Sequence, residues 1–115
     1  IRTCLESIAE DVIGIGKPLY LSWEEQKQQI NTIKASWDQI KALRAISPTI
    51  ERISKIQQTV GESLMPEAIY VDRTLLREAL LNAKEIRTHY TILRLADTLG
   101  WLEELTEEVV DEYDF

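Results

Sequence analysis

Arg87, His89 and Tyr90 set a fixed cation, a titratable imidazole and a phenol within four residues, in the stretch IRTHYT. One helix ends here and another begins, so their side chains could face a cleft. Together they could contact a polar ligand. The same residues also serve a purely structural end. Cations favour helix C-termini, where they meet exposed carbonyls. Tyr90 can bury its ring with its hydroxyl bonded, and Thr91 can cap the helix that follows. We therefore read IRTHYT as a helix–helix joint first, with Arg87, His89 and Tyr90 as the substrate-cleft candidates.

Other chemistry is poorly supplied. GIGK at 14–17 lacks the earlier glycine of a phosphate loop, where Asp11 stands, and Pro18 replaces the magnesium-binding Ser or Thr. A dinucleotide fingerprint fails as well, because position 19 is Leu. One His and one Cys cannot build a nitrogen or sulfur metal cage, and the carboxylates lack the spacing of a calcium loop. Cys4 reads as a packed thiol rather than a nucleophile, since Leu5 and Ile8 share its apolar pattern. No residue is assigned a catalytic, metal or cofactor-binding role on spacing alone.

The elements that must position the candidates are helical. Ile1, Leu5, Ile8 and Val12 recur at helical spacing, and GIGKP then makes a turn. Ser22 and Glu25 form a capping box ahead of the stripe Ile30, Ile33, Trp37, Ile40 and Leu43, in a helix expected to run to about residue 45 with Trp37 in the core. Ser47 as N-cap and Pro48 at the first position open a helix whose inner face is Ile50, Ile53, Ile56 and Val60, closed by Gly61. Asp72 caps the next, with Leu75, Leu76, Ala79, Leu80, Ala83 and Ile86 running to about residue 88. Ile92 to Leu99 and Leu102 to Val110 supply the last two, separated by Gly100. Period-two alternation is absent. The expected fold is all-α, five to six helices packed in a bundle-like single domain over residues 1–115.

Composition bounds the functions. The 115 residues suit one domain, and 44% hydrophobic content suits a globular one. The net charge of −7, concentrated in EELTEEVVDEYDF, would repel phosphate backbones, so no nucleic-acid partner is expected. No apolar run reaches the roughly 20 residues of a membrane span, so no membrane partner is expected either. The single cysteine suits a reducing cytoplasm. Ile1 opens the chain without a signal peptide, which reads as the cut edge of a longer protein.

LREALLNAKEIRTHYTILRLADTLGWLEELTEEVV resembles the C-terminal end of the sn-glycerol-1-phosphate dehydrogenases, within the superfamily of iron-containing alcohol dehydrogenases and dehydroquinate synthases. The matching residues are Leu76, Arg77, Ile86, Arg87, Tyr90, Thr91, Ile92, Leu93, Leu99 and Gly100. QINTIKASWDQIKAL is similar to that group's lysine-rich helix around a tryptophan, here Trp37, and VIGIGKPLYLSW resembles its Gly-Ile-Gly-Thr helix weakly. The resemblance implies the distal part of the C-terminal helical domain of a two-domain enzyme. It implies NAD(P) and a divalent metal, zinc or iron, for the parent, and an N-terminal nucleotide-binding domain as partner. His89 stands where many relatives carry Arg, and Arg94 where many carry Asp. Aligning the Gly-Ile-Gly segments puts the last metal histidine at Ala9, so no catalytic residue is carried over.

Two classes of function follow. The first is a fragment of an NAD(P)-linked polyol-phosphate dehydrogenase, inactive alone, with no cofactor of its own. The alternative is a non-enzymatic acidic helical interaction module. A homo-oligomer is compatible with both.

Overall fold

The computed structural model describes residues 8–16, 20–61, 65–86 and 88–113. Seven α-helices follow one another with no strand among these residues. They are α1 Ala9–Gly16, α2 Trp23–Ala35, α3 Trp37–Ala42, α4 Ile50–Val60, α5 Arg73–Asn82, α6 Ile92–Thr98 and α7 Leu102–Asp111. Short 3-10 turns extend α3 over Leu43–Ala45 and α5 over Ala83–Glu85, and another spans Pro66–Ile69. The fold is all-α, as the periodicity implies. No described helix is long and apolar enough to cross a membrane.

The helix ends follow local chemistry. The Ser22 backbone N–H donates to the Glu25 carboxylate at 2.8 Å, and Glu25 N–H returns a bond to the Ser22 hydroxyl at 3.4 Å. That reciprocal pair satisfies two donors that α2 leaves without intrahelical partners. Asp72 accepts from Leu75 N–H at 2.8 Å and Thr91 from Arg94 N–H at 3.4 Å, opening α5 and α6. Gly61 and Gly100 close α4 and α6 with φ of 79° and 75°, a region that side chains bearing a Cβ rarely adopt.

Several boundaries differ from the sequence expectation. GIG does not break the first helix: α1 runs through Gly14 to Gly16. A glycine inside a helix costs only about 1 kcal/mol, and buried Ala9 and Val12 anchor this one. The helix expected from 22 to 45 is divided at Ser36 (φ −101°, ψ 11°), whose N–H is shared between the Thr32 and Ile33 carbonyls. Serine competes poorly for helical geometry, and the break sets off Trp37–Ala42 as a short segment of its own. Thr49, not Ser47, caps α4, and Pro48 lies outside it. The Ser47 hydroxyl instead donates to the Leu43 carbonyl at 3.2 Å, closing the turn before. α5 tightens after Asn82 rather than reaching 88. There the Asn82 amide donates to the Glu78 carbonyl at 2.8 Å and Lys84 Nζ to the Leu81 carbonyl at 2.9 Å, taking up the last carbonyls.

Packing is densest between α5 and α7, with α6 against α7 and α1 against the Ala83–Glu85 turn. Val110 is fully buried, and Leu102, Thr106 and Ala96 pack beside it. On the rim, Arg77 grips Glu107 with two bonds, one of 2.6 Å, and Arg73 reaches Asp111 at 2.7 Å. These pairs are exposed, so they fix the angle between helices more than they stabilise it. Trp37 is half-buried, not core. Its ring meets Trp101 edge to face with centroids 6.2 Å apart. The inner face expected for α4 is not covered: Ile50 is 79% exposed and no residue of α4 is buried. Local amphipathicity demands a partner for that face, and the described residues do not provide one.

Candidate functional site

A cleft of about 270 Å³ opens where α6 begins. Its walls come from the Thr88–Tyr90 loop, from Arg94, Asp97 and Thr98 on α6, and from Tyr20, Leu21, Gln26 and Gln29 around the start of α2. Of the three residues singled out in the sequence, it brings His89 and Tyr90 together. Arg87 lies outside the described residues, as does Cys4. His89 is exposed and forms no hydrogen bond among the described residues. Tyr90 is half exposed rather than buried, because the loop passes over the surface. Its hydroxyl donates to Thr98 Oγ1 at 3.1 Å, and the Thr98 hydroxyl donates in turn to the Arg94 carbonyl at 2.9 Å. The joint is thus tied to the first two turns of α6.

The floor of the cleft is ionic. Arg94 is 8% exposed and Glu85 5%. Arg94 Nη2 donates to the Lys84 carbonyl at 2.7 Å and approaches Glu85 Oε2 at 3.4 Å. Lys84 Nζ lies 3.5 Å from Glu85 and 3.6 Å from Asp97. Two cations and Glu85 therefore share a poorly hydrated pocket, where each charge is tolerable only because its neighbours offset it, with the exposed Asp97 at its edge. Arg94 Nε is buried without a hydrogen-bond partner. The Tyr20 hydroxyl extends the network with a long 3.5 Å bond to Glu85 Oε2. Burial first, and then the Glu85 charge, push the Tyr20 phenol above its ordinary pKa, while Arg94 pulls it back.

Sequence reasoning missed Glu85 and Arg94 as a pair. They are nine residues apart, on different elements, and the Tyr20 contact spans 65. The one available signal was Arg94 itself: a charged residue amid Leu93, Leu95 and Ala96 has to find a partner or reach water. Chemically the cleft offers hydroxyls from Tyr20, Tyr90 and Thr98, amides from Gln26 and Gln29, and the imidazole of His89. That set suits a small hydroxylated ligand. Among the described residues no group of three His, Cys, Asp or Glu side chains could hold a metal ion. A second, apolar groove of about 290 Å³ lies between α2 and the α6–α7 corner, lined by Ile30, Ile33, Lys34, Trp37, Leu99 and Trp101. No family model matches the chain, and no curated protein or solved structure matches it either.

Proposed function

We propose that this chain is the helical part of the active-site domain of a metal-dependent, NAD(P)-linked oxidoreductase resembling glycerol-1-phosphate dehydrogenases, and that it is inactive alone. The observation that supports this reading is a coincidence of place. The stretch that carries the resemblance, residues 72–110, also supplies His89, Tyr90, Arg94, Asp97 and Thr98 to the polar cleft. In this reading a partner nucleotide-binding domain faces the cleft, and NAD(P) supplies hydride chemistry when bound there. Among the described residues no cluster of His, Cys, Asp or Glu fits the divalent metal, zinc or iron. What they contribute is recognition: hydroxyl, amide and imidazole groups that hydrogen-bond a polyol, held by the Arg94–Glu85 floor. Incubation of the chain with zinc, NADH or NADPH and dihydroxyacetone phosphate should give no loss of nicotinamide absorbance above background. Turnover would overturn the assignment of an incomplete site. The longer protein containing this sequence should turn over under the same conditions with zinc or iron, and its failure with both would overturn the dehydrogenase reading.

The second reading, a non-enzymatic acidic interaction module, draws on a different observation, the acidic face of α7 with exposed Glu103, Glu104 and Glu108. It predicts that the longer protein shows no nicotinamide-linked activity while the chain still binds a partner through that face.

A further inference from the structure

The chain exposes far more surface than its mass explains. Its accessible area is 9239 Å², whereas a folded monomer of 13.3 kDa should expose roughly 6,500 Å². Its radius of gyration is 16.4 Å, against roughly 13 Å for a compact domain of this length. The excess, roughly 2,700 Å² per chain, exceeds the ~800 Å² that each partner contributes to a standard interface and leaves ample area for an obligate one, whose total runs from roughly 2,000 Å² upward.

Exposed apolar side chains line up into continuous faces in two places. The first is a stripe through Ile46, Ile50, Ile53, Ile56 and Val60, with Ile46 82% exposed. Arg52 borders it, and neither Arg52 nor Arg44 forms an ion pair among the described residues. The second is the apolar groove at Trp37 and Trp101. It continues one and two turns along α7 through Leu105 and Val109, both exposed. Glu104, Glu108 and Glu112 border that strip. A ridge with a cationic edge and a groove with an acidic edge sit on the same chain, and α4 has no closely packed neighbour among the described elements. Shape and rim charge complement each other between copies, which is the requirement of a two-fold contact in which each face meets the other twice.

We propose that a second copy of this chain covers these faces, the α4 stripe of each copy seated in the groove and along the outer strip of α7 of the other. A two-fold pairing uses both faces once per copy and leaves neither open to further growth. It does not depend on the dehydrogenase reading, and its failure would leave that reading in place.

Sedimentation equilibrium of the chain over a concentration series tests it. The expected mass is twice 13.3 kDa at high concentration. Ile56→Glu should give the single-chain mass throughout with an unchanged helical circular dichroism spectrum. Arg52→Glu should weaken pairing at least tenfold, and Arg52→Glu combined with Glu108→Arg should restore it. A second apolar-face variant, Ile50→Glu, guards against a fold defect confined to position 56. A chain that stays monomeric at every concentration overturns the proposal and leaves the faces to another part of a longer protein. Dimers that survive both Ile56→Glu and Ile50→Glu, or a double charge reversal without rescue, overturn it too.

Discussion

Arg94 and His89 lie five positions apart and on the same cleft, yet the fold treats them oppositely. Arg94 is buried against Glu85, while His89 is exposed and forms no hydrogen bond among the described residues. Arg94→Leu removes a charge that Glu85 needs and keeps the apolar volume. Breaking a buried pair from one side costs about 3–5 kcal/mol, and the lower end applies because Lys84 remains beside Glu85. His89→Gln should change stability by less than about 0.5 kcal/mol, like an ordinary surface change. Urea unfolding of both variants measures the contrast. Tyr20 gives a pH test at the same network. Its phenol is raised in the fold by burial and by Glu85, so the unfolded chain releases that proton first. Stability is therefore unaffected below the unfolded value of about 10 and falls as pH rises through the higher folded value. Titration of tyrosinate absorbance should show one delayed phenol that Tyr20→Phe removes. A midpoint in Glu85→Gln identical to that of the parent chain would contradict the Glu85 contribution.

Capping shows what was readable in the chain and what was not. Ser22–Glu25, Asp72, Thr91, Gly61 and Gly100 each act where the sequence placed them, because a cap is decided by residues within four positions. Ser47 failed for a local reason as well. Two hydroxyls compete before α4, and Ser47 is drawn back to the Leu43 carbonyl, leaving Thr49 to accept from Arg52 N–H at 3.2 Å. Thr49→Ala should therefore cost about 1 kcal/mol and Ser47→Ala much less. Equal effects in thermal melts would return the cap to Ser47. Burial was less readable than capping. The stripe of α4 has the right period but no closely packed neighbour among the described elements, and Trp37 reaches only the edge of the core, at Trp101. Periodicity tells which face seeks cover, whereas cover depends on residues distant in sequence or on another chain. The cleft was half legible for the same reason: His89 and Tyr90 are neighbours in sequence, but Tyr20, Glu85 and Arg94 meet only in the fold.

Across the whole molecule, stability is distributed unevenly. α5, α6 and α7 converge on Val110, Leu102 and Ala96, and α1 closes over the Glu85 turn, whereas α4 has no buried residue. A helix of 11 residues with little tertiary support is marginal in water. Its hydrogen bonds should open locally, without unfolding the rest. Amide hydrogen exchange on dilute chain should thus find Ile53–Val60 exchanging at least ~100-fold faster than the amides around Val110, since local opening of a weakly packed helix requires far less free energy than global unfolding. Raising the chain concentration should slow exchange in α4 and along Leu105–Val109 together, and leave Val110 unchanged, because only the former two lie in the proposed contact. Ile56→Glu should abolish that concentration dependence in both segments at once. Protection of α4 equal to that of α7 in the dilute chain would mean that α4 is held by this chain's own core, and the division into a packed half and an uncovered helix would fall.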